Sequence, residues 1–302
     1  MTKSSKQTLK KVIKLILVGV TIFLFGWYLI NNIQDFRQAL TISPLYIFLI
    51  AFGQILILFT SAAILKVLVS AIQGEINLKQ SIQITLYSTI VNFFGFLQSG
   101  VGLRGVILKK NHGVNYKKYT YITLVYYMAL LAISTFIILI NSTALLLEYR
   151  LPIIVTLSMV ATLLFSIKSR LREFTGHEKA VKLFKVFSMI DKKTLLAIVL
   201  LTITQFVGSA IAYGAELRSL GAALSISSLS MYTAVSVLSI FFALTPGAIG
   251  IREGMLLSVQ EQIGLSNQEI IFAAVLDRSF FFILLFFCFL YILPSRKKLT
   301  EA

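Results

Sequence analysis

Thr245-Pro246-Gly247-Ala248-Ile249-Gly250-Ile251-Arg252-Glu253-Gly254 interrupts an apolar region with one proline, three glycines and two opposite charges. Backbone N–H and C=O groups in hydrocarbon must be bonded within a helix or a closed barrel. A Pro/Gly break at membrane depth therefore survives only where protein or a water-filled cavity covers it. Ionisable residues at that depth are costly and are by default functional. The fold turns on whether the flanking apolar sequence lies in a membrane.

Composition answers that question. Of 302 residues, 57% are hydrophobic and 13% charged, the mean hydropathy is +0.88, and the apolar residues fall in runs of about 20, enough to cross ~30 Å of hydrocarbon as helix. The expected class is an all-α, polytopic helical membrane protein. No segment between the apolar runs is long enough to bury a core of its own, so residues 1–302 are expected to form a single integral membrane domain. The basic Met1–Lys11 stretch precedes an apolar run longer than a signal-peptide core and without a small-x-small cleavage site, so Val12–Ile30 reads as a retained first span.

Six full spans are expected: Val12–Ile30, Pro44–Leu68, Tyr119–Ile140, Leu151–Ile167, Thr194–Ala215 and Gln268–Leu293. Two further apolar stretches are broken. Ile82–Leu97 runs into Gln98-Ser99-Gly100-Val101-Gly102-Leu103-Arg104-Gly105, and Ser225–Leu244 runs into the quoted decapeptide and then Met255–Ile263. Counting basic residues decides between crossing and turning back. If both broken stretches cross, 12 of the 28 Lys and Arg fall inside and 15 outside; if both are re-entrant, 23 fall inside. Only the re-entrant arrangement obeys the positive-inside rule, with both termini cytoplasmic in the inner (cytoplasmic) membrane of the cell. The net charge of +16 is then topogenic and does not call for nucleic acid as a partner.

Each half of the chain then holds three spans and one hairpin: residues 1–140 with hairpin 81–108, and residues 151–302 with hairpin 225–263. An odd number of crossings inverts the second half, the plan of inverted-repeat transporters whose broken helices meet near the midplane. The tips are also alike in sequence. Phe94–Gly100 matches Phe241–Gly247, and Gly102-Leu103-Arg104 matches Gly250-Ile251-Arg252.

At each tip the glycines allow close approach and expose N–H groups, and an arginine supplies a delocalised cation suited to phosphate. The expected cradle for an anionic lipid headgroup is Gly100, Gly102 and Arg104 with Pro246, Gly247, Gly250 and Arg252. The alternative left open is that the glycines serve helix packing and that Arg252 pairs internally. Asp277 and Arg278 lie about 4 residues, hence ~6 Å, before the middle of the last span. They point about 100° apart, so each needs its own partner. Arg278 with Glu253, and Asp277 with Arg252 or Arg104, are the natural pairs. These residues support the site, or Asp277 takes up a proton and couples it to transport.

For catalysis the inventory is thin. The two histidines, His112 and His177, lie in basic loops, and Cys288 sits in an aromatic-rich run. There is no metal-ligand cluster, nucleotide loop or placeable nucleophile–base pair, so no catalytic residue, metal or cofactor is assigned and an enzyme is not the first expectation. A transferase using Glu253 or Asp277 as base stays open as an alternative. The hydrophilic loop Lys168–Lys193 is either an interfacial amphipathic helix or a solvated connector.

The stretch Leu244–Gly254 resembles the signature of the flippase-like membrane domain of lysylphosphatidylglycerol synthetase, the multiple peptide resistance factor, and of its stand-alone relatives. Gly100–Arg104 with Leu108–Val114 is similar to that family's first motif, and Arg278 falls where members carry an arginine in the last span. The similarity runs from about Lys11 to Leu293. The resemblance implies two re-entrant hairpins and movement of a lipid between leaflets, an anionic phospholipid or a polyprenyl-linked lipid. An accessory subunit that joins a glycolipid synthase stays open as an alternative, as does a homo-oligomer. Two departures matter. No segment matches the synthetase's soluble aminoacyl-transferase domain, so lysyl transfer is not expected of this sequence, and Ser99 stands where many members have proline.

Overall fold

A computed structural model describes residues 42–95, 98–141, 190–222 and 224–295. The chain divides into two units, Met1–Pro44 and Leu45–Ala302, and the second holds the helical bundle. The regular elements described are all helical. They are α1 (Pro44–Ala71), α2 (Leu78–Phe94), α3 (Ser99–His112), α4 (Tyr116–Asn141), α5 (Lys192–Ser219), α6 (Ile226–Leu238), α7 (Ile251–Leu257), α8 (Gln260–Ile263) and α9 (Asn267–Ile292), with 3₁₀ turns at Ser239–Phe242, Pro246–Ala248 and Leu293–Ser295.

Four of these helices, α1, α4, α5 and α9, are long and apolar enough to cross a membrane, at 26 to 28 residues each. At 1.5 Å per residue, 26 residues reach about 39 Å, more than the hydrocarbon core needs. They coincide with four of the six expected spans. Val12–Ile30 and Leu151–Ile167 lie outside the described residues, as does most of the Lys168–Lys193 loop.

Polar caps set the helix starts, because the first N–H groups have no partner in the helix itself. Asn77 accepts from the Gln80 N–H while Gln80 accepts from the Asn77 N–H, both at 2.8 Å, opening α2 with a capping box. Ser266 and Glu269 open α9 in the same way. Asp191 accepts the Thr194 N–H at 2.8 Å before α5. Hydrogen bonds from the Thr194 side chain and from this N–H hold the Asp191 carboxyl below the usual range for its type.

Each broken stretch folds into a helical hairpin. In the first, α2 packs along α3, with Gly95 ending one arm and Gln98 beginning the other; in the second, α6 packs on α7 and α8. The first hairpin is seated in a core with α1, α4 and α5, through Ile64, Leu68, Ile84, Ile107, Ile122 and Ile198. The second shares a core with α5 and α9, through Leu217, Met231, Tyr232, Leu256 and Ile270. Where α1 meets α5 there is no room for side chains: a Cβ on Gly53 would stand 2.5 Å from the Gly208 carbonyl oxygen, the small-residue contact by which helices associate in lipid. Phe48, Phe52 and Phe59 on α1 and Phe282, Phe286 and Phe287 on α9 point outward and are exposed. Such a surface suits acyl chains and would be an association hazard in water.

Candidate functional site

The tips of the two hairpins close a cavity of about 260 Å³. Gly95 and Gln98 line it from the first tip, and Ala243, Thr245, Gly247 and Ala248 from the second. Its walls carry Gln54 of α1, Asn92 of α2, Gln205 and Tyr213 of α5, Arg252 of α7, and Asp277 and Arg278 of α9. Gln205 stands at the centre of α5, and Asp277 is within about one turn of the centre of α9. The polar groups thus converge at mid-depth of apolar helices.

The second tip owes its shape to backbone that side chains rarely adopt. Gly247, Ala248 and Gly250 have φ of 58°, 54° and 82°; glycine takes such values freely, whereas Ala248 holds its value against its own Cβ. Thr245 Oγ1 donates to the Ile249 carbonyl at 2.8 Å across the turn. The Gly250 N–H donates to Glu253 Oε2 at 2.7 Å, so the acid of the motif caps its own helix.

The charges of the motif are all engaged. Arg252 Nη1 meets Asp277 Oδ2 at 2.5 Å, and Arg278 Nη2 meets Glu253 Oε1 at 2.6 Å. Arg252 Nε also lies 3.8 Å from Glu253 Oε1. The Arg252 guanidinium sits over the Tyr213 ring, 5.6 Å from its centre. Gln54 Nε2 donates to Asp277 Oδ1 at 3.3 Å, tying α1 into the network. The structure therefore joins the pairs expected from the sequence, and Arg252 is internally paired while still lining the cavity.

The rest of the expected cradle is dispersed. Arg104 points away from the cavity: its Nε donates to Ser88 Oγ at 2.5 Å, and with Tyr119, Tyr126 and Tyr127 it lines a separate space of about 20 Å³. Gly100 does close packing, since a Cβ there would lie 2.1 Å from the Ser88 carbonyl oxygen of the other arm. Gly102 is inside α3 and meets nothing within 4 Å, whereas Gly250, its partner in the sequence match, precedes α7. Pro246 opens the 3₁₀ turn Pro246–Ala248. The matched residues thus occupy different local positions at the two tips.

Several polar residues not singled out in the sequence belong here. Gln98 joins the two tips, donating to the Ile240 carbonyl and accepting from Tyr127 Oη at 3.0 Å. Gln205 accepts from Tyr126 Oη at 2.9 Å and donates to Ser61 Oγ at 3.1 Å. Glu216 is fully buried near the end of α5, and neither carboxylate oxygen has a hydrogen-bond partner among the described residues. The sequence signal for Glu216 is a single acid at the edge of an apolar run. Among the described residues, no group of three or more His, Cys, Asp or Glu is arranged to hold a metal ion.

The family model described as lysylphosphatidylglycerol synthase TM region matches residues 12–288 of the chain. No curated protein matches it in sequence.

Proposed function

The chain belongs to the lysylphosphatidylglycerol synthase TM region family, and from that membership we propose that it takes the headgroup of an anionic lipid into the cavity between the hairpin tips and passes the lipid across the cell membrane. Being a multi-pass, lipid-related membrane protein follows from the family and the apolar helices; binding and movement of the headgroup are the proposal.

The observation that carries it is a cavity at mid-depth whose largely apolar wall carries Arg252, Asp277, Arg278 and several amides, bordered by the two hairpin tips. A headgroup leaving water for hydrocarbon loses its hydrogen bonds at a cost of several kcal/mol. The amides of Gln54, Asn92, Gln98 and Gln205 and the guanidinium of Arg252 offer donors for a phosphate there. At about 260 Å³ the cavity sits just under the usual ~300–1,000 Å³ of small-molecule sites. That suits a headgroup while the acyl chains stay in lipid. The arms α2, α3 and α6, of 17, 14 and 13 residues, reach only about 20–26 Å as helix, too short to cross ~30 Å. This supports re-entrant hairpins, with the first entering from the cytoplasm and the second from outside, and both termini cytoplasmic as the positive-inside count requires.

The test is lipid exchange in phosphatidylcholine vesicles containing a trace of fluorescent short-chain phosphatidylglycerol, followed by back-extraction with albumin. Wild-type protein accelerates passage between leaflets over protein-free vesicles, and Arg252→Ala, if it remains monodisperse, removes the acceleration. Equal rates with and without protein overturn the proposal.

A further inference from the structure

Glu216 has no role in the cavity wall, yet it is the most enclosed acid described. It is fully buried, and both of its oxygens lack a donor among the described residues. The titratable and charged groups that act on it come from each neighbouring element: Asp277 on α9, Arg252 on α7, Tyr232 on α6 and, on its own helix, Tyr213. Of these, Asp277 is the group its carboxyl faces.

Two carboxylates turned toward each other are both acceptors, and neither can satisfy the other. Nor does the local charge close. Arg252 and Arg278 are matched by Asp277 and Glu253, so an ionised Glu216 would be a third acid on two cations, buried and without a donor, the arrangement proteins avoid. One proton removes both conflicts, as in carboxyl dyads that share a proton. We infer that Glu216 and Asp277 form a proton-binding site behind Arg252, whose occupancy is linked to that of an anionic headgroup in the cavity.

The link rests on the proposed headgroup reading and follows from charge. With the proton held, the five ionisable groups sum to zero; without it, the cluster in and behind the wall carries net negative charge against an arriving phosphate. The proton therefore favours the anion, and by reciprocity the anion favours the proton. Lipid anion and proton then travel in the same direction, and a pH gradient drives the lipid. Asp277 is the shared member of both networks, since the Arg252 guanidinium it holds lines the cavity.

The test has three parts. Infrared difference spectra of the purified protein at neutral pH should show a protonated carboxyl C=O band that disappears in Glu216→Gln. In weakly buffered detergent at mildly alkaline pH, wild-type protein should take up protons on addition of dioctanoyl phosphatidylglycerol. In the phosphatidylcholine vesicles, acid outside should drive labelled phosphatidylglycerol inward, with flux rising by up to about tenfold per pH unit, the limit for one linked proton; Glu216→Gln should exchange lipid without responding to the gradient. A band unaffected by Glu216→Gln overturns the proton site. Absent proton uptake, or wild-type flux indifferent to the gradient, overturns the linkage. Wild-type protein that moves no lipid but loses the band in Glu216→Gln overturns the transport proposal and the linkage, and leaves the proton site standing.

Discussion

Arg252 and Asp277 meet at 2.5 Å from two different helices. The residues next to them, Glu253 and Arg278, meet in turn at 2.6 Å. Consecutive charges on α7 and on α9 are thus satisfied between the helices, with only a longer 3.8 Å contact between the neighbours Arg252 and Glu253. Breaking a buried pair by removing one partner leaves a charge without compensation, at about 3–5 kcal/mol. Arg252→Ala and Asp277→Ala should each cost that much in detergent unfolding, and the double variant should cost clearly less than their sum. Additive losses would mean that the two side chains do not interact.

Gly100 and Gly102 have opposite environments on one helix. A Cβ at position 100 collides with the Ser88 carbonyl oxygen, and one at position 102 meets nothing within 4 Å among the described residues. Gly100→Ala should destabilise by about 1–3 kcal/mol, the usual cost of overpacking. Gly102→Ala should be neutral or stabilise by about 0.5–1 kcal/mol, because glycine is a poor helix interior residue. Thermal unfolding of both in the same detergent checks the contrast.

These two glycines also mark the limit of what the sequence discloses. The four long helices appear as unbroken apolar runs, and the Pro/Gly interruption locates the second tip, whereas the glycines of the first interruption, Gly100 and Gly102, lie within α3. The charge pairs follow from the rule that an intramembrane charge needs a partner. What a linear match of the tips misses is helical phase. Arg104 and Arg252 align by letters, but Arg104 lies a turn inside α3 and turns toward Ser88 and the tyrosines, while Arg252 opens α7 and reaches Asp277. Glu216 was hidden for another reason: the apolar run ends at Ala215, whereas α5 continues to Ser219 under the cover of α6. The glutamine partners Gln54 and Gln205 give no periodic signal, because their importance depends on tertiary neighbours.

The separation of the two arginines has a functional consequence. Arg104→Ala should leave phosphatidylglycerol exchange near the wild-type rate, whereas Arg252→Ala should remove it. Loss in both variants, with both folded, would place Arg104 in the headgroup path despite its distance from the cavity wall.

Topology can be read from single cysteines in a Cys288→Ala background. Positions 110, 218 and 262 are exposed in the structure. A membrane-impermeant maleimide applied to intact cells should label Arg218→Cys and Gln262→Cys and spare Lys110→Cys. Labelling of Lys110→Cys from outside would mean that the first hairpin crosses the bilayer.

The most direct measurement fills the cavity and leaves its charges in place. Ala243 lines the space at the second tip and takes no part in the Arg252–Asp277 and Arg278–Glu253 ion pairs, so Ala243→Phe inserts a ring where the headgroup is proposed to pass. In phosphatidylcholine vesicles with labelled phosphatidylglycerol, the folded variant should lose the exchange that wild-type protein supports. Exchange at the wild-type rate would show that lipid does not travel between the hairpin tips.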